Sequence, residues 1–168
     1  MSEEYLDIVN EQGDIIGSAP RRLCHGDPSL THRTVHVVVQ SSDGRILLQK
    51  RSMDKDIQPG KWDTAVGGHL TLGESYEQAA LREMAEEIGI HPAEPPRPLF
   101  TMAIRNTIES EQTRVFMTVS DGPFTPQKEE LDALRFWTPQ EIREAMGTGS
   151  LTPYLEHELE LLFEKHVI

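Results

Sequence analysis

Glu83, Glu86 and Glu87 fall in the stretch GHLTLGESYEQAALREMAEEIGI, residues 68–90, whose only cation is Arg82. At spacings of three and four residues these carboxylates sit side by side on a helix, and like charges so placed repel by about 0.2–0.5 kcal/mol per pair. No lysine follows four residues on to relieve them, so the patch calls for a counter-charge from outside the helix. A solvated face is the commoner use of a charge run. Here the glutamates gather opposite an apolar stripe of Ala80, Met84 and Ile88, and Gly67 and Gly68 let backbone come close to the helix start. Oxygen-only donors at this density suit hard cations such as Mg²⁺ or Mn²⁺, which take carboxylates and water and bridge to phosphate oxygens. The residues favour a metal site.

The elements that must carry this patch are legible. Ser75 is an N-cap, the apolar residues at 80, 81, 84, 85 and 88 give the helix a core-facing stripe, and Gly89 is placed to end it. The spacing predicts a helix from about 75 to 88. YLDIV and DIIGSA flank a turn near Gly13 as a first hairpin, and VHVVVQ and RILLQK flank SSDG as a second. KRSMDKDIQPGKW reads as a polar loop and HPAEPPRP as a rigid connector. Segments 99–105 and 113–119 read as strands. LRFWTPQEIREAM passes from strand to helix with Thr138 as N-cap, Pro139 at the first position and Glu141 completing a capping box. A second Thr-Pro start opens the C-terminal amphipathic helix TPYLEHELELLFEKHV. Strands and helices mix without regular alternation, which predicts an α/β fold with a mixed sheet between helices.

Composition narrows the partners. The 168 residues suit one domain spanning 1–168, and 37% hydrophobic with 26% charged residues is the balance of a soluble globular chain. A net charge of −12 repels nucleic-acid polymers and anionic membranes and attracts cations. Cys24, the only cysteine, excludes an internal disulfide and a thiolate zinc cluster. The start MSEEYLDIVN has neither a basic region nor an apolar run, and no stretch is long and apolar enough to span a membrane. The expected compartment is cytoplasmic. Oligomeric state is not written in the sequence.

Gly68, Glu74, Arg82, Glu83, Met84, Glu86, Glu87, Gly89 and Ile90 match, position by position, the Nudix box. The chain is therefore similar to Nudix hydrolases, whose fold is a mixed sheet between helices and which cleave diphosphate bonds in phosphorylated small molecules. The resemblance implies Glu83, Glu86 and Glu87 as ligands of Mg²⁺ or Mn²⁺, Arg82 as the residue that orients them, and one of these glutamates or Glu74 as proton acceptor.

A second set of residues resembles bacterial isopentenyl-diphosphate isomerases, Nudix-fold proteins with a divalent metal held by three His and two Glu. The parallel runs through CHGD, THR, GGH and ESEQ, and hence through His25, His32, His69, Glu109 and Glu111. Imidazoles mixed with carboxylates suit Mn²⁺, Zn²⁺ or Fe²⁺. The same resemblance implies Arg21, Arg51 and Lys55 as diphosphate-binding residues. The departures separate the chemistries. Gly67 stands where the isomerases carry a cysteine, the segment from Leu99 to Glu111 has no tyrosine, and the full glutamate series of the box is intact. The expectation is a metal-dependent hydrolase on an isomerase-like scaffold. The isomerase itself and a non-catalytic module that binds a phosphorylated metabolite are the alternatives.

Overall fold

The computed structural model describes residues 3–55, 57–127 and 131–168. Strands β1 (Tyr5–Val9) and β2 (Ile15–Pro20) form the first hairpin, with Gly13 at φ +85° in its turn. The short helix α1 (Arg21–Cys24) leads to β3 (Thr31–Gln40), the strand around which the rest is assembled. Then come β4 (Ile46–Arg51), β5 (Trp62–Thr64), β6 (Val66–His69), α2 (Tyr76–Ile88), β7 (Arg97–Arg105), β8 (Ser110–Val119), β9 (Leu131–Trp137), α3 (Pro139–Ala145) and α4 (Pro153–Glu164).

One edge of β3 runs parallel to β8 over its whole length, from Thr31 opposite Ser110 to Gln40 opposite Val119. The other edge is shared by β1 at Ile8↔His32, β6 from Thr34↔His69 to Val37↔Val66, and β4 at Gln40↔Ile46. The second hairpin therefore differs from its expectation. β3 and β4 meet only beside their turn and then splay, β4 pairing instead with β5 and β9. The reason is burial. Both arms are rich in apolar residues on both faces, so each serves as a central strand rather than leaning on the other.

The alternation along β3 distributes two cores. Val35, Val37 and Val39 pack with Ala80, Met84 and Ile88 of α2, while Val38 packs with Ile142 of α3 and Leu155, Leu159 and Leu162 of α4. The result is the expected mixed sheet between helices. The helix caps follow the sequence closely. Ser75 and Gln78 form a reciprocal capping box on α2, Thr138 and Glu141 another on α3, and Thr152 caps α4. Gly89 closes α2 at φ +69°. No described helix is long and apolar enough to cross a membrane.

Candidate active site

Arg82 resolves the charge problem of α2 from within the helix. Its Nε and Nη2 donate to the two oxygens of Glu74 at 2.9 Å each, and Nη2 also reaches the His69 carbonyl at 3.0 Å. Its Nη1 donates to Glu83 at 2.8 Å and to Glu86 at 3.2 Å. One guanidinium thus gathers three carboxylates and ties α2 to β6, a geometry that needs the planar fork of arginine. Glu74 is held further by the Thr71 N–H, and its pKa is lowered chiefly by the Arg82 hydrogen bonds. Burial pushes the Glu83 carboxyl up, against the pull of Arg82. Glu87 reaches β6 directly, its Oε2 accepting the Gly67 N–H at 3.0 Å. Glu86 is the exposed member of the series.

The expected histidine cluster also converges. His25 Nε2 lies 3.2 Å from His69 Nε2 and 3.3 Å from Glu109 Oε2, and His32 Nε2 lies 3.9 Å from the same Glu109 oxygen. The ligand atoms of His25, His32, His69 and Glu109 all fall within 4.8 Å of one another. Glu111 stands outside that tight group, with Oε1 3.6 Å from His32 Nε2 and Oε2 accepting from Thr34 Oγ1 at 3.2 Å. Four elements supply the set: α1 ends beside His25, β3 carries His32, β6 carries His69, and β8 with its turn carries the two glutamates.

These residues fit a metal ion. Ligands about 2.1 Å from one centre stand about 3–4 Å from each other, and the approaches of 3.2, 3.3, 3.6 and 3.9 Å fall in that range. Both ring nitrogens of the fully buried His32 lack a hydrogen-bond partner, a costly arrangement unless something else engages them. Burial, with Arg21 and His32 nearby, lowers the pKa of His25; burial and His32 lower that of His69 to about 3. Both imidazoles are then neutral and able to ligate. The two carboxyls divide as close like charges do: burial and Glu111 raise Glu109 to about 7, whereas burial also acts to raise Glu111 but His32 beside it, with His36 further off, holds it down at about 2.

A cavity of about 220 Å³ takes in Glu87 from the first constellation and His69 and Glu111 from the second, with Gly67, Arg51 and Lys55 also in its lining. Arg51 donates to the Ile57 carbonyl at 3.1 Å and lies 3.6 Å from Asp63. Arg21, the third expected cation, is at the start of α1, 3.5 Å from Glu4 and outside the lining of this cavity. A second lobe of about 190 Å³ shares His36, Arg51, Asp63 and Glu111 with the first and adds Tyr154 and Ile104. Three of these residues are not visible as site residues in the sequence: His36, Asp63 and Tyr154. Tyrosine is missing from residues 99–111, yet α4 delivers Tyr154 to the lobe that Glu109 and Glu111 line. Cys24 is fully buried in a small core with Leu6, Ile8 and Ala19.

A mixed sheet between helices, with an arginine-gathered glutamate series beside a polar cleft, defines a Nudix-type enzyme. The NUDIX domain matches residues 30–157. The chain is 39% identical over 143 residues to a Nudix hydrolase of Yersinia pestis, covering 83% of this chain and 75% of that one. It is 31% identical over 162 residues to an isopentenyl-diphosphate Delta-isomerase of Nocardia farcinica, covering 93% of each. A crystal structure of a Deinococcus radiodurans protein superposes with a TM-score of 0.77 at 27% identity, covering 94% of this chain and 98% of that one. The chain belongs to the Nudix family, and it is an enzyme of the Nudix-hydrolase kind.

Proposed function

We propose that this single Nudix domain hydrolyses a diphosphate bond in a phosphorylated small molecule, with Mg²⁺ or Mn²⁺ held by Glu83, Glu86 and Glu87. The observation that carries this reading is the Arg82 network, which fixes Glu74, Glu83 and Glu86 around one guanidinium of the helix whose Glu87 lines a cleft with Arg51 and Lys55. Bound divalent ions would supply charge neutralisation of the diphosphate and a more acidic water. The chain's own residues do the rest. Arg51 and Lys55 hold phosphate oxygens, Arg51 through a fork that its backbone bond to Ile57 keeps in place. Arg82 fixes the carboxylates, and a glutamate of the series, or Glu74, takes the proton from the attacking water. A second ion, Mn²⁺, Zn²⁺ or Fe²⁺, is assigned to His25, His32, His69, Glu109 and Glu111. The test is turnover across a panel of nucleotide sugars, dinucleotides, damaged nucleotides and isoprenoid diphosphates, with Mg²⁺ and with Mn²⁺. Glu86→Gln and Glu87→Gln should each lower it by orders of magnitude without unfolding the protein. Full activity in both variants would sink the assignment.

A second reading, allylic isomerisation of isopentenyl diphosphate, draws on the Nocardia relative and on Tyr154 standing with Glu109 and Glu111 around one lobe. Gly67 has no side chain to exchange a proton with carbon, which weighs against it. Deuterium incorporation into isopentenyl diphosphate in heavy water distinguishes the two.

A further inference from the structure

His36 occupies a position that neither the box nor the histidine cluster explains. It is on the α4 face of β3, between Thr34 and Val38, and opposite it α4 presents Glu158, a fully buried carboxylate within the apolar run of Leu155, Leu159 and Leu162. His36 Nδ1 lies 3.5 Å from Glu158 Oε2, and Glu158 has no other ion pair among the described residues. A buried ion pair is seldom a net gain over well-packed apolar residues, so its retention asks for a use. The other edge of the ring supplies one. Gly67 is the cross-strand partner of His36, and a Cβ placed on Gly67 would stand 3.0 Å from His36 Cδ2 and 3.4 Å from Nε2. The missing side chain leaves that edge open to the cleft, and His36 lines both lobes at the neck where they meet.

We propose that His36 is a substrate-binding residue that determines specificity: its Nε2–H donates to a phosphate oxygen seated at the neck of the cleft, beside Arg51. Burial opposes a charge on the ring, but Glu158, with Asp63 and Glu111 further off, outweighs it and pushes the pKa up to about 9. The ring is then an imidazolium at neutral pH, a donor with no acceptor, and it selects an anionic oxygen over a neutral polar group. Asp63, fixed by the Thr64 N–H and by Thr152 Oγ1, faces the same neck and disfavours a second anion there. A phosphoester with one diphosphate at the neck and its appended group in the Tyr154 lobe suits this distribution.

This inference rests on the diphosphate reading of the cleft, and binding without turnover separates the two. Methylenediphosphonate, which carries two phosphonates but no cleavable anhydride, is titrated by calorimetry into the wild-type protein and His36→Gln at one fixed Mg²⁺ concentration. The expected result is weakening by about tenfold or more in the variant, the size set by loss of a hydrogen bond between charged groups. The double variant His36→Gln/Glu158→Gln leaves two neutral amides in the same volume and serves if the single change, by stranding Glu158, lowers the unfolding temperature. Equal affinity in the folded variants, or no binding by the wild-type protein, overturns the role of His36. Phosphate release by the wild-type enzyme judges the hydrolase reading on its own.

Discussion

Gly68 of β6 and Glu83 of α2 are in such close approach that a Cβ on the glycine would stand 2.2 Å from Glu83 Oε1 and 2.3 Å from its Cδ. The backbone of the strand forms one wall of the carboxylate's site, and Arg82 the other. Gly68→Ala must therefore move Glu83 or the strand. We expect a loss of turnover of about a hundredfold, as small misplacements at a catalytic group commonly cause, with destabilisation of about 1–3 kcal/mol from overpacking. Steady-state kinetics and thermal unfolding of the same preparation check both.

Gly89 offers the contrasting case. Its φ of +69° is strained for any residue with a side chain, and a Cβ would approach Thr125 Cβ to 3.0 Å. Gly89→Ala should cost about 1–2 kcal/mol, the penalty of a left-handed conformation for an L-residue. The damage is to the cap of α2 rather than to the carboxylates, so urea denaturation should show a clear loss while KM changes little.

Arg82→Lys keeps the charge and loses the fork. A lysine cannot reach Glu74 through two parallel bonds while also holding Glu83, Glu86 and the His69 carbonyl. The expectation is a fall in kcat of about tenfold to a hundredfold at unchanged net charge. A variant with wild-type kcat would show that the glutamates position themselves.

The Glu74–Arg82 pair also sets a pH dependence. Because Arg82 lowers the folded-state pKa of Glu74, the pair stabilises the protein above the unfolded carboxyl value and that stability is lost as pH falls through the folded one. The difference in stability between the wild-type protein and Glu74→Gln should be about 1.5–3 kcal/mol at neutral pH, the contribution of a hydrogen bond to a charged group. It should shrink in acid and stay flat from neutral to mildly alkaline pH. Chemical denaturation at a series of pH values reads it directly.

Elemental analysis tests the histidine cluster. Purified wild-type protein should carry up to about one equivalent of Mn, Zn or Fe, and His32→Ala/His69→Ala should carry almost none. Equal transition-metal content in the two preparations would leave the glutamates of α2 as the only candidate ligands.

Local signals carried much of this architecture into view. Caps, turns and the apolar stripe of α2 depend on neighbours within a few residues, and Ser75, Gly89, Thr138 and Thr152 behave as their chemistry dictates. What escaped is set by distant pairing. β5 and β6, three and four residues long, are too short to show an alternating pattern, and β4 leaves β3 because β9, far along the chain, pairs with it. The histidine cluster was reached through resemblance, since no local rule links His25 to Glu109. His36 and Glu158 were hidden for a different reason: one stands in a valine-rich strand and the other in an amphipathic helix rich in glutamate. The available signal for Glu158 is its place on the stripe of Leu155, Leu159 and Leu162, where an apolar residue belongs.

The parallel ladder between β3 and β8 has a consequence for how the chain acquires its site. Parallel strands so far apart in sequence pair late, because closing the intervening loop costs entropy before any contact repays it. His32, Glu109 and Glu111 are separated until that ladder zips, so the proposed metal cluster arises only in the nearly finished fold. An ion held there would bind the native state in preference to the unfolded chain, and it would slow unfolding by holding together the strands that joined last.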